Sequence, residues 1–233
     1  MLEAVAGDSN VFQTSCEFCD EFAGGLINSF YSRYQGSPKT RFVLSTENFH
    51  VFPSIGQLVD GYLLMAPKKH YAAFDEMPRV LWDEFDRLLE HVRLIASSIY
   101  GPCIAYEHGT RGEGGCGIYH AHMHLVPFPR ATELIGDLRK RFAWRILANL
   151  VDLGEQDEKT SSYLFCETPQ STRYLFSVKD LSSQFMRKLL SEALGRDDWD
   201  WRKVGREERL LVTMQRFTEQ LNRTKGIALT QSV

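Results

Sequence analysis

The sequence predicts an α+β fold: a mostly antiparallel sheet with one long helix on one face, followed by an α+β C-terminal extension. Three observations carry this prediction. Two short strand-like runs, Arg41 to Ser45 and Asn48 to Pro53, flank Thr46-Glu47 and read as a hairpin. One long amphipathic segment, Pro78 to Tyr100, repeats Leu81, Phe85, Leu88, Leu89, Val92, Ile95, Ala96 and Ile99 at helical spacing. Three of the seven histidines, His120, His122 and His124, stand at alternate positions in a run that ends at Pro127. Alternate residues of a strand share a face. The imidazoles therefore line one side of the sheet, and Ala121, Met123 and Leu125 face the core.

The other elements follow in order. Residues 1–15 read as a lead-in. Cys16-Glu17-Phe18-Cys19 leads into an amphipathic run from Asp20 to Tyr34. Gly61 to Pro67 is a continuous apolar run between Gly and Pro and reads as a central strand. Pro78 suits the first turn of the long helix and Gly101 its C-terminal stop. Cys103 to Glu107 is a strand, and residues 108–117 form a glycine-rich loop before the histidine strand. The texture changes at Pro129, which sets the expected domains at 16–129 and 130–233, the second packed on the first. Glu133 to Leu153 reads as a helix. Tyr163 to Glu167 and Tyr174 to Val178 form a hairpin, and Ser182 to Leu194 and Glu207 to Lys225 are the last two helices.

Composition narrows the class. The chain has 233 residues, 43% hydrophobic and 24% charged, as in an ordinary globular protein. A net charge of −3 argues against general nucleic-acid binding. No apolar run approaches the roughly 20 residues of a spanning helix. Met1 to Asn10 has neither the basic nor the apolar region of a signal peptide. The five cysteines, an odd count, then read as thiols or metal ligands in a reducing, cytoplasmic compartment.

Three imidazoles on one face admit three readings: a metal triad, a catalytic row, or packing. On a regular strand neighbouring imidazoles sit about 6–7 Å apart, and the first and third about 13 Å apart. One ion does not easily take all three, which favours separate roles. Cys16-x-x-Cys19 is open between a redox pair, half of a zinc site and two free thiols.

His120-x-His122-x-His124-Leu-Val, with glycines before it and Pro127 after it, resembles the histidine-triad nucleotide-binding (HIT) superfamily. The resemblance extends upstream through Phe42-Val43-Leu44, Phe49-His50-Val51-Phe52-Pro53, the Gly61 to His70 run and the long helix. It covers roughly Cys16 to Phe128. It implies a small-molecule nucleotide substrate bound against the sheet. His122 would attack the α-phosphorus and form a nucleotidyl-histidine intermediate. His124 would donate a hydrogen bond to a phosphoryl oxygen or help protonate the leaving group. Backbone amides of Gly115, Cys116 and Gly117 would cradle the phosphate. The zinc-bearing members imply a structural zinc on Cys16, Cys19, His70 and His120. Family members are commonly homodimers.

Some positions depart from the family pattern. Tyr62 follows Gly61 where a histidine is common. Ser54 lies where an acidic or amide residue holds the ribose. His108 falls in the region of an orienting asparagine, either as its substitute or as a solvated loop residue. Beyond Pro129, Ser183 to Arg187 with Trp199 to Arg202 resembles an extension of some bacterial members. Gln184 and Arg187 lie one helical turn apart and are candidates for phosphate contact. Two rival functions remain: a metal-dependent hydrolase using the triad as ligands, and a non-catalytic nucleotide-binding or adaptor protein.

Overall fold

The computed structural model describes residues 16–109, 118–155, 162–179 and 181–230. The lead-in and the Gly115, Cys116 and Gly117 cradle lie outside the described residues.

Eight strands form one antiparallel sheet: β1 (Leu44–Ser45), β2 (Phe49–Pro53), β3 (Leu63–Pro67), β4 (Cys103–Gly109), β5 (Met123–Pro127), β6 (Ala143–Leu147), β7 (Tyr163–Glu167) and β8 (Arg173–Ser177). Their spatial order is β1-β2-β3-β5-β4-β7-β8-β6. The sheet runs across Pro129, because β4 pairs with β7 from Ala105↔Glu167 to Gly109↔Tyr163. The chain after Pro129 thus extends the first sheet edge-on.

Both faces are covered, so the central strands read as continuous apolar runs and not as alternating ones. On one face, Val51, Met65, Met123, Leu125, Ala105 and Phe165 pack against Phe85, Leu89 and Val92 of α3 (Trp82–Tyr100). Phe217 and Leu221 of α6 (Glu207–Thr230) join that core. On the other face, Leu64, Ala66, Ile104, Tyr106, Val126 and Phe176 meet three helices. These are α1 (Glu17–Phe22), α4 (Ala131–Arg141) and α5 (Phe185–Ala193), through Phe18, Leu138 and Met186. His122 and His124 belong to this second face.

Three expectations need correction. The run from Asp20 to Tyr34 is two short helices, α1 and α2 (Ser29–Tyr34). Gly24 at φ +75° turns the chain between them, and the Asp20 carboxylate accepts from Ile27 N and Asn28 Nδ2, so Asn28 caps α2. The helix expected over Glu133 to Leu153 ends at Arg141. Ala143–Leu147 is instead β6, paired with β8. Its aromatic and β-branched residues, Trp144 and Ile146, suit a strand better than a helix interior. The histidine strand begins only at Met123, since Ala121 N bonds Tyr71 O outside the ladder.

The loop between β2 and β3 is fixed from both ends of the chain. Gly61 turns at φ +81° with its α-carbon against the Tyr100 ring, where a Cβ would lie 2.3 Å from that ring. Gln57 is buried and bonds Ser54 O and both backbone groups of Tyr62. Three arginines of the C-terminal half bond successive loop carbonyls: Arg187 to Gly56, Arg206 to Gln57 and Arg196 to Leu58.

Glu107 on β4 is buried on the α3 side, accepting from Phe74 N at 2.8 Å and from the Tyr163 hydroxyl at 2.6 Å. Burial outweighs these bonds and pushes its carboxyl up to about 8, with Asp75 and Glu76 adding to the rise. A folded pKa above the unfolded one means the folded state holds the proton more tightly. Stability is therefore lost as pH rises from the ordinary carboxyl range through about 8. In thermal melts, Glu107→Gln is expected to lose less Tm than the wild type between about pH 5 and 8. Parallel pH profiles for the two proteins would contradict a protonated Glu107.

Candidate functional site

The site has two halves on one face of the sheet, divided at the triad. In the first, Cys16 is the N-cap of α1, and its Sγ accepts from Cys19 N at 3.5 Å. This turn presents both sulfurs to the sheet. His70 follows β3. The His120 Nε2 lies 2.8 Å from Pro67 O. A carbonyl only accepts, so Nε2 carries the proton and Nδ1 keeps its lone pair. That lone pair faces Cys16 Sγ at 3.4 Å and Cys19 Sγ at 3.6 Å. His70 Nδ1 lies 3.4 Å from Cys19 Sγ. The four ligand atoms are all within 4.8 Å of one another. Two sulfurs and two imidazoles, one oriented by a backbone carbonyl, can hold a tetrahedral metal ion.

The second half begins two residues on. His122 Nδ1 lies 2.6 Å from the carbonyl of His120, so Nδ1–H donates and Nε2 is left with its lone pair. Phe18 meets the His122 ring edge-on at 5.4 Å between centroids. His124 Nδ1 lies 2.8 Å from the Tyr62 hydroxyl, which makes a short bond to the Tyr106 hydroxyl. The His122 and His124 rings are 4.7 Å apart, closer than a regular strand allows, because the backbone enters the strand only at Met123. Burial pulls the His122 imidazole down to about 4 and the His124 imidazole well below its ordinary value. Each of the three imidazoles has its own backbone or hydroxyl partner. Among the described residues the metal-ligand group takes His120 alone of the three.

His122 and His124 line a cavity on this face of the sheet. Phe18, Ile55, Leu64 and Ile118 supply its apolar walls. Of the expected contact residues, Ser54, Gln184 and Arg187 all line it. Gln184 is committed to the protein: it donates to Asp200 Oδ1 at 2.8 Å and accepts from Trp201 N at 3.1 Å. Arg187 is 4% exposed and bonds Trp199 O, Gly56 O and Ser54 Oγ. Among the described residues it has no carboxylate partner at the cavity wall. Arg41 also lines the cavity, but its charge is matched by a bidentate pair with Glu21 at 2.7 and 2.8 Å.

No protein-family profile matches the chain. An uncharacterized HIT-like protein of Chlamydia muridarum is 29% identical over 119 residues, 48% of this chain and 90% of that one. Over that stretch the chain is similar to this HIT-like protein, and the likeness includes the expected histidine-triad resemblance. Among solved structures it is similar to a HIT family protein of Bacillus subtilis, at 20% identity and a TM-score of 0.39, covering 55% of this chain and 98% of that one. It is also similar to a hypothetical histidine triad nucleotide-binding protein of Sulfolobus tokodaii, at 21% identity and a TM-score of 0.37, covering 48% and 68%.

Four positions of this site gain meaning only in three dimensions. Tyr62, marked in the sequence as a missing histidine, bonds His124 directly. His108 is no solvated loop residue: it lies on β4, buried, and its Nε2 has no partner among the described residues. It lines the cavity, and burial pulls its imidazole down to about 3, so it faces the site as a neutral group. Tyr106 and Arg41 went unmarked. Tyr106 is one of a strand's alternating residues, and nothing in its sequence context separates it from core packing.

Proposed function

We propose that the protein is a nucleotide-conjugate hydrolase or transferase working through a nucleotidyl-histidine intermediate on His122, with a structural zinc on Cys16, Cys19, His70 and His120. One observation carries the reading: the His122 Nδ1–H bond to its neighbour's carbonyl, which leaves Nε2 as a nucleophile on the cavity wall. In the first step Nε2 bonds the α-phosphorus as the bond to the leaving group breaks. The imidazolium so formed keeps its Nδ1–H on the His120 carbonyl. In the second step water attacks the phosphorus and gives up a proton to solvent, the P–N bond breaks with its electron pair returning to Nε2, and His122 returns to its neutral form. Arg187 supplies the positive charge that an anionic substrate needs in a dry cavity. Gly115, Cys116 and Gly117 are proposed to present backbone amides to the phosphoryl oxygens. Ser54 stands at the cavity wall beside Arg187, and Gln184 holds the Trp201 segment that closes the cavity.

Zinc fits the donor set, and its role is structural: four protein ligands leave no open position, and the ion would tie α1 to β3 and to the start of the histidine strand. Elemental analysis of the purified chain is expected to find about one zinc per molecule. Cys19→Ser is expected to lose most of it and to melt at a lower temperature. A zinc-free chain whose Tm ignores both this substitution and a chelator would contradict the site.

The function itself is tested with a panel of AMP conjugates followed by mass spectrometry of quenched samples. An AMP adduct on the His122 peptide is expected, and His122→Ala is expected to lose the adduct and about 10³-fold or more in turnover. Full turnover by His122→Ala would point to a different nucleophile. A folded wild-type chain with no adduct and no turnover would favour a binding or adaptor role.

A further inference from the structure

The cavity has two unlike ends. His122, His124 and Arg187 line the cavity but not the groove that adjoins it, whereas Glu17 and Trp201 line both. This second pair therefore stands at the mouth. Glu17 opens α1, and its Oε1 accepts from Ser29 Oγ at 2.9 Å. A carboxylate has about four acceptor positions and no donor, so this one can take further hydrogen bonds and repels a phosphate. Trp201 comes from the C-terminal extension and is held firmly. Its N–H donates to Gln184 Oε1 at 3.1 Å, and its carbonyl accepts from Arg33 Nη2 at 3.1 Å. Its α-carbon packs on Gly56, where a Cβ would come within 2.9 Å of it.

We propose that Glu17 and Trp201 form a nucleobase subsite that selects guanine, so that the substrate is a guanosine 5′-phosphate conjugate. This rests on the nucleotidyl-transfer reading above, which sets the α-phosphorus at His122 and the anionic charge beside Arg187. Of the nucleotide, sugar and base are left for the mouth. The indole offers a flat apolar surface on which a base stacks. Guanine carries N1–H and its 2-amino group side by side on one edge, and a carboxylate accepts from both at once. Adenine presents there one amino donor beside the lone pair of N1, which the carboxylate repels.

Two rival occupants fit the mouth less well. A ribose diol satisfies the carboxylate but has no flat face for the indole. An ammonium group satisfies both carboxylate and ring, but a cation is already there: the Arg202 guanidinium lies over the Trp201 ring at 5.1 Å from its centroid. Arg33 and Arg202 also line the adjoining groove. These charges oppose a further cation and leave a neutral base unopposed. Glu17 and Trp201 take no part in the bonds made and broken at phosphorus; they hold the substrate by its base and set which nucleotide the site accepts.

Calorimetric titration of the full chain with free nucleotides tests this with no turnover needed. Wild type is expected to bind GMP about tenfold or more tightly than AMP, with IMP, which lacks the 2-amino group, between them. Glu17→Gln is expected to weaken GMP about tenfold and to spare AMP, and Trp201→Leu to weaken both. AMP bound as tightly as GMP by the wild type would overturn the subsite, and so would a folded chain that binds neither; both readings need no variant. If 2′-deoxy-GMP bound the wild type as weakly as GMP binds Glu17→Gln, and the variant held the two alike, the carboxylate would belong to the ribose and the proposal would fall. The reaction is judged separately. A guanine preference with no adduct on His122 from any nucleotide conjugate would remove the reaction and keep the subsite. Adducts formed equally well from AMP and GMP conjugates would keep the reaction and overturn the subsite.

Discussion

The arrangement of this site depends on one constraint: a histidine cannot offer the same nitrogen twice. Each imidazole of the triad has one nitrogen committed to the protein, and the other is what the site can use. Pro67 takes Nε2–H of His120 and turns Nδ1 toward two cysteines. The His120 carbonyl takes Nδ1–H of His122 and leaves Nε2 to the cavity. Tyr62 meets Nδ1 of His124. Three identical side chains, two residues apart, thereby acquire three different chemistries. The late start of β5 makes this possible. A regular strand would send all three rings the same way at even spacing, whereas the bend at His120 lets its ring turn to α1 while the other two lean together.

The C-terminal half bears on the same chemistry through packing. It adds three strands to the sheet edge at β4 and lays α4 and α5 over the histidine face. Arg187, Arg196 and Arg206 hold the loop that carries Ser54 and leads to Tyr62. The extension therefore does two things with one set of residues: it walls the cavity, and it fixes the loop from which the tyrosine reaches His124. Among the described residues no helix is long and apolar enough to cross a membrane, in keeping with a sheet buried on both faces within one chain.

Much of this was legible in the sequence. The hairpins, the long helix and the face shared by the histidines follow from periodicities of 2 and 3.6. The metal group of Cys16, Cys19, His70 and His120 came from a resemblance, and the fold brings those four together. Local signals failed where tertiary pairing decides the outcome. The sequence runs from α4 into Trp144 and Ile146 with no glycine or proline to mark a break, and the ladder with β8 decides for a strand. Gly24 divides the amphipathic run from Asp20 to Tyr34 between two short helices. Tyr62 and Tyr106 were illegible for another reason: they lie 44 positions apart in sequence, and only the adjacency of β3, β5 and β4 brings their hydroxyls together. Arg187 could be placed on a helix face, but its burial could not be foreseen, since that depends on Trp199, Gly56 and Ser54.

The central claim is that His122 attacks phosphorus itself, so the reaction runs through two displacements. The most direct measurement is its stereochemical course. A substrate made chiral at the α-phosphorus is turned over in isotopically labelled water, and the configuration of the product is read by ³¹P NMR. Two in-line displacements predict net retention at phosphorus. Net inversion would mean that water attacks the substrate directly, and it would remove His122 from the role of nucleophile.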